Sequence, residues 1–376
     1  MPAFLFILII VVFLLASGYI ASKICRVLKR RPTWVRLSVW GIVLLLDFGF
    51  FLTKIFDFLP IAVLRPLYIV STMWLVVVLY GFISFLTLDI VQLVAMNAGA
   101  SRLYHSPRQV AIATFITTIL LIYGVFNAKS PDVVEYNVST NKMPVGNDIR
   151  VALVSDLHMG YAVTDADIVK LVNLTNALNP DVICIAGDLI DGDLKPVITE
   201  DIGRNLEKFS APLGVYAIMG NHEYLDDNIR AEQYIRTLKG VNLLRDSVAF
   251  AGSNIAIVGR DDISYRRAYS AERKTLKELL SSHSDDMLTI VLDHQPIALR
   301  EAEEQGVDFN LSGHTHAGQV WPMRFFTSRL FELDYGCAST GNTTAVVTSG
   351  FGTWGPRVRI GSQAEVVLLN IKGTHK

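Results

Sequence analysis

The stretch IRVALVSDLH at residues 149–158 is a run of aliphatic residues that ends in an aspartate and a histidine. The same arrangement recurs in VICIAGDLID at 182–191 and in VYAIMGNHE at 215–223. Short runs rich in valine and isoleucine predict buried strands, and the polar residues after them mark where the strands end. Polar side chains at the carboxyl ends of strands are typical of ligand sites in α/β sheets.

Two further polar clusters follow apolar runs later in the chain. One is DHQ at 293–295, after LTIVL, and the other is GHTH at 313–316, after FNLS. Five of the eight histidines therefore stand directly after predicted strands: His158, His222, His294, His314 and His316. We expect the clusters to share one rim of the fold. Since His294 has no second histidine beside it, a buried structural histidine is the alternative at that position.

These residue types indicate divalent metal ions. Carboxylates and imidazoles suit manganese, iron and zinc, whereas the three cysteines show no ligand-like spacing. The clusters supply at least seven such ligands, more than one ion needs. Two ions about 3.5–4 Å apart, bridged by one carboxylate, would use them all and would hold the attacking and leaving oxygens of a displacement at phosphorus.

The region after residue 148 alternates β-branched runs with amphipathic stretches, which predicts an α/β domain with stacked sheets. The predicted strands are 149–155, 182–186, 215–219, 255–259, 288–292, 309–312, 345–348 and 365–369. The predicted helices are 165–178, 227–239, 269–282 and 296–304. We assign residues 148–372 to this domain.

The first part of the chain has a different composition. Over all 376 residues, 51% are hydrophobic and only 18% are charged, which is too apolar for an ordinary soluble enzyme. Four apolar stretches at 3–24, 35–56, 67–93 and 109–127 each approach the roughly 20 residues that a helix needs to cross a bilayer. Residues 1–130 are therefore predicted to form about four transmembrane helices, which makes the chain an integral membrane protein of the plasma or inner membrane.

The positions of lysine and arginine predict the orientation of these spans. The densest basic group lies between the first and second stretches, at residues 23–36, and should face the cytoplasm. Counting across, the 57–66 turn is outside, the 98–108 loop is inside, and the domain after residue 128 is extracytoplasmic. A cytoplasmic enzyme acting on nucleotides is the alternative. The net charge of −1 predicts no nucleic-acid surface.

Two carboxylates fall inside the predicted spans. Asp47 lies near the middle of the second stretch and Asp89 lies within the third. Because an ionised carboxylate is unfavourable in hydrocarbon, both are expected to face the interior of the bundle. A proton or substrate path and a structural polar contact are the two interpretations, and the structural one is favoured.

The order of the motifs resembles a known superfamily. DxH, GDxxD, GNHE, a lone histidine and GHxH follow one another as in the calcineurin-like metallophosphoesterases, over roughly residues 148–371. GHTHAGQV at 313–320 and SGFGTWGPRVRIGSQAEVVLL at 349–369 are similar to the bacterial membrane-associated subgroup. The resemblance implies an αββα sandwich of two packed mixed sheets, here preceded by the transmembrane helices.

The resemblance also implies roles for individual residues. The first metal ion would be held by Asp156, His158 and His316, the second by Asn221, His294 and His314, and Asp188 would bridge them. A hydroxide shared by the two ions would be the nucleophile, and His222 would donate a proton at the leaving oxygen. Asp191 and Glu223 would orient histidines or the loops that carry them.

The expected function is the hydrolysis of a phosphodiester or phosphomonoester, with a lipid-linked phosphate as one candidate. A membrane-bound binding or scaffold protein that retains the fold without catalysis is the alternative. The stretch WPMRFF at 321–326 either rests on the bilayer or packs beneath the sheet, and packing is slightly favoured. Arg357 and Arg359 either contact a substrate phosphate or are surface residues beside the last strand.

Overall fold

The structure, a computed structural model, describes residues 3–100, 106–281 and 284–375. Arg102, in the predicted 98–108 loop, and the end of the predicted 269–282 helix lie outside the described residues. The chain divides into two compact units, Met1–Phe126 and Asn127–Lys376. The assigned boundaries at residues 130, 148 and 372 stay predictions.

The first unit is helical. Its helices are α1 (Ala3–Val27), α2 (Thr33–Ile55), α3 (Ile61–Asn97) and α4 (Ser106–Ala128). All four are long and apolar enough to cross a membrane, as the sequence predicted. At 37 residues, α3 is longer than the predicted span at 67–93. It begins directly after Pro60 and continues through Pro66, so part of the predicted 57–66 turn is helical.

The two intramembrane carboxylates join helices to one another. Asp47 accepts hydrogen bonds from Ser17 Oγ at 2.6 Å and from Trp74 Nε1 at 2.7 Å, which connects α2 to α1 and α3. Asp89 pairs with Lys23, whose Nζ lies 2.6 Å from Asp89 Oδ1. Tyr19 and Gln109 also donate to Asp89, so that carboxylate connects α3 to α1 and α4. These helix-to-helix contacts agree with the interpretation of Asp47 and Asp89 as structural polar residues.

The second unit combines strands and short helices. Its strands are β1 (Asp132–Pro144), β2 (Ile149–Val154), β3 (Val182–Ala186), β4 (Val215–Ile218), β5 (Val241–Leu243), β6 (Ser247–Ala251), β7 (Ile255–Gly259), β8 (Leu288–Leu292), β9 (Phe309–Ser312), β10 (Gly336–Thr340), β11 (Thr343–Val347) and β12 (Glu365–His375). Its helices are α5 (Asp165–Ala177), α6 (Leu194–Glu200), α7 (Asn228–Arg236), α8 (Tyr265–Tyr269), α9 (Leu276–Leu280), α10 (Leu299–Glu304) and α11 (Arg324–Leu330), with 3₁₀ turns at Ile202–Lys208, His222–Tyr224 and His316–Gly318.

The strands form two mixed sheets. The first has the order β1-β12-β2-β3-β4-β5, in which β2 to β5 are parallel and β12 runs antiparallel to β2. The second has the order β10-β11-β9-β8-β7-β6, in which β11, β9, β8 and β7 are parallel and both edge strands are antiparallel to their neighbours.

Alternate residues of each strand enter different layers. In β2, Val151 and Leu153 pack against second-sheet residues such as Ile257 and Ile290. Their neighbour Ala152 faces the opposite way and joins the core beneath α5 and α7. The outer face of the second sheet packs in the same way against α9 and α10. The layers are therefore helix, sheet, sheet, helix, which confirms the predicted αββα sandwich and explains the uninterrupted apolar runs.

The elements that the sequence did not predict lie mainly at the edges. The strands β1, β5, β6 and β10 and the helices α6, α8 and α11 were missed, and α9 is shorter than expected. Strand β1 alternates exposed and partly buried residues, because it borders the sheet and, among the described strands, pairs only with β12. An edge strand with this composition has a weaker apolar pattern than a central one.

The interior between the two sheets should be sensitive to lost volume. Phe309, with 2% of its surface exposed, fills this core, whereas Phe250 on the edge strand β6 is 52% exposed. Phe309→Ala is expected to destabilise the domain by roughly 3–5 kcal/mol, because it removes buried surface and leaves a cavity. Phe250→Ala should change stability by less than about 1 kcal/mol. Thermal unfolding of the two full-length variants tests the difference, and equal effects would contradict the packing described.

Candidate metal centre

All seven predicted metal ligands lie at one end of the stacked sheets. They follow the carboxyl ends of five parallel strands: Asp156 and His158 follow β2, Asp188 follows β3, Asn221 follows β4, His294 follows β8, and His314 and His316 follow β9. Parallel neighbours end at the same edge of a sheet, so each sheet presents its loops together. His314 N donates to both carboxylate oxygens of Asp156 at 3.1 Å, which connects the loops of the two sheets.

One group of side chains consists of Asp156, His158 and His316, all buried. His158 Nε2 and His316 Nε2 lie 3.0 Å apart. Asp156 Oδ1 lies 3.3 Å from His316 Nε2 and 3.9 Å from His158 Nε2. Two ring nitrogens and a carboxylate oxygen thus face a common point, and this nitrogen and oxygen donor set fits a borderline divalent cation.

A second group consists of Asp188, His294 and His314. His294 Nε2 lies 3.1 Å from Asp188 Oδ2 and 3.2 Å from Asn221 Oδ1. The structure therefore places Asn221 beside this group. His294, which the sequence left open as a structural histidine, faces the carboxylate and amide oxygens expected to share its ion.

Asp188 lies between the two groups. Its Oδ2 atom is 3.1 Å from His294 Nε2 in the second group and 3.8 Å from His158 Nε2 in the first. Its other oxygen, Oδ1, accepts a hydrogen bond from the backbone nitrogen of His222 at 2.8 Å. Because that bond fixes the orientation of the carboxylate, Oδ2 stays directed at both groups. This is the placement that a bridging carboxylate requires.

Two hydrogen bonds set the tautomers of the histidines. His294 Nδ1 lies 2.7 Å from the carbonyl oxygen of Ala186, which accepts and cannot donate. His158 Nδ1 lies 3.1 Å from Asp191 Oδ1. Burial opposes ionisation of Asp191, but its contacts with His158 and His222 outweigh that effect and lower its pKa to about 2. Both Nδ1 atoms therefore carry a proton, so Nε2 is the atom of each ring that could bind a metal ion.

The electrostatics of the centre require positive charge. Asp156 and Asp188 are both buried, and burial raises the pKa of Asp156. Burial also disfavours the charged form of Asp188, but His294 and His222 hold the pKa of that carboxyl well below its usual value. Two carboxylates beside each other in a buried site repel unless a cation or proton lies between them.

Backbone strain is concentrated in the same loops. Asp156, His158, Asp188, His314 and His316 all have φ between 49° and 70°, in the left-handed region. Residues with a Cβ atom adopt this region rarely, and strained backbone of this kind collects at functional sites. Five of the seven predicted ligands are thus held in conformations that the surrounding hydrogen bonds must maintain.

Two glycines are required for close approach rather than for their backbone angles. A Cβ atom at Gly313 would lie 2.0 Å from Ser155 Oγ and 2.3 Å from Asp156 Oδ2. A Cβ atom at Gly220 would lie 2.2 Å from Asp188 Oδ1. Both carboxylates therefore occupy the space that a side chain on the neighbouring loop would fill, which is why glycine precedes Asn221 and His314.

Glu223 and His222 follow Asn221 and serve different purposes. The carboxylate of Glu223 accepts hydrogen bonds from Ile190 N at 2.8 Å and from Gly220 N at 2.6 Å, which joins the loops after β3 and β4. Burial, together with the charge of Asp188, raises the pKa of Glu223 to about 8.

The His222 ring stands on edge against the His158 ring, with centroids 4.5 Å apart. The His222 side chain is partly exposed, and its Nδ1 atom is 3.3 Å from Asp191 Oδ1. Among the described residues, this ring nitrogen has no hydrogen-bond partner. Burial lowers the pKa of His222, but the charges of Asp188 and Asp191 outweigh this effect and raise it to about 9.

Arg359 is a residue whose place the sequence did not reveal. It is fully buried, so the interpretation as a surface residue is wrong. Its Nη2 atom donates to the carbonyl oxygens of Ser349, Gly350 and Gly352 and lies 3.4 Å from His316 Nδ1. Arg357 donates instead to Asp167 and to the carbonyl of Ala162. The glycine-rich stretch turns its carbonyls inward, and this convergence is a property of the fold that spacing in the sequence does not show.

Comparisons with known proteins agree with this geometry. A family model described as calcineurin-like phosphoesterase matches residues 149–318. The chain is 30% identical over 261 residues to an uncharacterized metallophosphoesterase of Aquifex aeolicus, covering 69% of this chain and 98% of that protein. An uncharacterized metallophosphoesterase of Campylobacter jejuni is 30% identical over 274 residues, covering 70% of this chain and 69% of the relative. The chain therefore belongs to the calcineurin-like phosphoesterase family.

The name of a zebrafish relative mentions both a membrane region and a phosphoesterase domain. It is a transmembrane protein with metallophosphoesterase domain from Danio rerio, 31% identical over 277 residues that cover 70% of this chain. The chain spans 63% of that relative's length. The phosphoesterase domain and the candidate membrane helices thus occur together in this chain, and members of its family bind divalent metals.

The close packing around Gly313 leads to a direct test. Gly313→Ala should displace Asp156 and Ser155, lower the thermal unfolding midpoint and reduce the manganese(II) bound when that ion is added to the full-length protein. Gly240→Ala is the matched control, because its Cβ atom would meet nothing within 4 Å and its positive φ of 81° costs only about 1–2 kcal/mol. Retention of bound metal by Gly313→Ala would contradict the described contact with Asp156.

Proposed function

We propose that the protein is a membrane-anchored hydrolase that cleaves a phosphodiester or phosphomonoester with two divalent metal ions. The first ion would be held by Asp156, His158 and His316, and the second by Asn221, His294 and His314. The observation that carries the proposal is the position of Asp188 Oδ2, within 4 Å of a histidine nitrogen in each group. A binding site for one ion needs no carboxylate in that position.

The ions are expected to be manganese, iron or zinc, since mixed nitrogen and oxygen ligation accepts all three. When bound, a pair of such ions supplies positive charge that lowers the pKa of water and offsets the charge of the phosphate. The protein's own contribution is to fix the ligands before substrate arrives. The hydrogen bonds to His158, His294 and Asp188 do this, because each leaves only the ligating atom free.

His222 is proposed to act at the leaving oxygen. Its ring lies beside that of His158 and is partly exposed, so one edge of the ring is accessible from outside the centre. Asp191 lies near its Nδ1 atom, which favours the protonated ring and leaves Nε2 as the atom that donates. A proton delivered from Nε2 would neutralise the alkoxide as the phosphorus–oxygen bond breaks.

The alternative of a non-catalytic binding or scaffold protein is less well supported. A protein that only kept the fold would not need a complete ligand set, strained backbone at five ligands and glycines fitted against two carboxylates. Each of these features lowers stability or restricts the sequence without improving the packing of the core. A lipid-linked phosphate remains one candidate substrate among the esters.

A substitution at His222 tests its catalytic role. His222→Ala is expected to lower kcat by about 10²–10⁴-fold towards a phosphodiester with a poor leaving group, because general acid catalysis is lost. The loss should be much smaller with a p-nitrophenyl diester, because p-nitrophenolate leaves without protonation. Metal content should stay at the wild-type level. An unchanged rate for the poor leaving group would remove His222 from the mechanism.

A substitution at Asp188 tests the bridge. Asp188→Asn keeps the shape of the side chain and its bond to His222 N but removes the charge, so the affinity for at least one ion should fall strongly. The measurement is metal stoichiometry across a manganese titration, and Asp193→Asn is the control because Asp193 caps α6 instead. Full stoichiometry and activity in Asp188→Asn would refute the bridging role.

The domain is proposed to face the extracytoplasmic side, as the basic group between the first two spans indicates. External protease applied to intact cells should then cleave within residues 127–376. Protection in intact cells with cleavage after permeabilisation would place the domain in the cytoplasm and would favour nucleotide substrates.

A further inference from the structure

An exposed apolar patch projects from the loop that carries two of the predicted ligands. It consists of Trp321, Met323, Phe325, Phe326 and Leu330, and the last three belong to α11. The exposed fractions are 56% for Trp321, 58% for Phe325, 53% for Phe326 and 77% for Leu330. No residue of α11 is buried by the described part of the chain. Packing beneath the sheet, which the sequence slightly favoured, is therefore wrong.

The patch is rigidly connected to the candidate metal centre. A Cβ atom at Gly318 would lie 2.2 Å from the backbone nitrogen of Arg324, so α11 packs directly on the turn that begins with His316. Asp334 accepts a hydrogen bond from Thr327 Oγ1 at 2.8 Å and another, through its carbonyl, from Thr315 Oγ1 at 2.5 Å. A surface that contacts the patch therefore lies close to the ligand loop.

The residue that follows the patch, Phe331, contacts the second group of ligands. The ring of Phe331, directly after α11, lies edge-on to the His314 ring with centroids 5.6 Å apart. Trp354 is half exposed. The side chain of Gln319, two residues before Trp321, accepts a hydrogen bond from the backbone nitrogen of Trp354 and donates one to its backbone carbonyl. An aromatic ring directly after α11 therefore contacts one of the predicted ligands.

The composition of the patch indicates what covers it. Arg324 and Arg329 are interleaved with the apolar residues, and the Arg329 guanidinium lies over the Phe325 ring at 3.5 Å. Aromatic and aliphatic side chains combined with arginine are typical of segments that lie in the interface of an anionic bilayer. A patch destined for a protein core would not carry two cations.

Covalent connection supports a bilayer as the occupant. The last candidate span ends at Ala128, and the second unit begins at Asn127, so the two are contiguous in sequence without an intervening linker. A domain tethered in this way stays near lipid at a high effective concentration. A weakly attractive apolar surface is then sufficient for membrane contact.

We propose that the patch inserts into the bilayer interface and presents the metal centre to a phosphate ester carried by a membrane lipid. This inference rests on the proposed hydrolase function and narrows its substrate to lipid-anchored esters. The phosphate would reach the ions from the headgroup layer, while Trp321, Phe325 and Phe326 occupy the boundary with the acyl chains.

The test compares two substrates with the same leaving group. Full-length protein is reconstituted in vesicles that contain phosphatidylglycerol and is loaded with manganese. One substrate is bis(p-nitrophenyl) phosphate in solution, and the other is a diacylglycerol p-nitrophenyl phosphate within the bilayer. Phe325→Ser combined with Phe326→Ser should lower turnover of the lipid substrate by about tenfold or more, because two aromatic side chains that would enter the bilayer are lost. Turnover of the soluble diester should change less than about twofold.

Phe250→Ser is the matched control, since Phe250 is equally exposed on an edge strand outside the patch. It should leave both activities unchanged. Equal loss of both activities in the double variant, or no loss of the lipid activity, would overturn the inference. If wild-type protein hydrolyses neither substrate, the proposed phosphodiesterase activity fails, and a second measurement decides the membrane contact independently.

That second measurement is fluorescence quenching by brominated lipids. The emission that disappears in Trp321→Phe belongs to Trp321, and this component should be quenched in vesicles with bromine near the headgroup end of the acyl chains. A Trp321 component insensitive to brominated lipid would overturn the inference whatever the activity. Cross-linking of the patch to a second copy of the chain would overturn it as well.

Discussion

The structure depends on the burial of two carboxylates, Asp156 and Asp188, at the meeting point of two sheets. Buried negative charges of this kind are tolerated only when opposite charge or donated hydrogen bonds surround them. Histidines from four loops and several backbone nitrogens supply part of that compensation. Two bound cations would supply the rest, so folding of the rim and binding of metal are expected to be coupled.

The sandwich explains how residues separated by up to 160 positions reach one point. Parallel strands end on the same side, and stacking of the two sheets brings the loops of β2, β3 and β4 against those of β8 and β9. The loops then hold left-handed backbone at the ligands, and glycines on neighbouring loops leave room for the carboxylates. The buried Arg359 guanidinium donates hydrogen bonds to three backbone carbonyls beside His316.

Much of this could be predicted from residues 149–318, because central strands buried on both faces have uninterrupted apolar runs and each is followed by short polar motifs. The four apolar helices were equally evident. Strand β1 was not predicted, since its alternation is weak at the edge of the sheet. Neither was the burial of Arg359, because its partners are carbonyls with no side-chain pattern. The exposure of Phe325 and Phe326 depends on tertiary contacts, and local sequence alone favoured the opposite outcome.

Asp188 Oδ2 faces both groups of ligands and would bridge the two metal ions that these groups are proposed to hold. Electron paramagnetic resonance of the full-length protein saturated with manganese(II) tests it most directly, since two ions about 3.5–4 Å apart are coupled through their bridging ligands. We predict the multiline spectrum of an exchange-coupled manganese pair, which should be lost when Asp188 is replaced by asparagine. A spectrum of isolated manganese(II) alone at full loading would contradict the account.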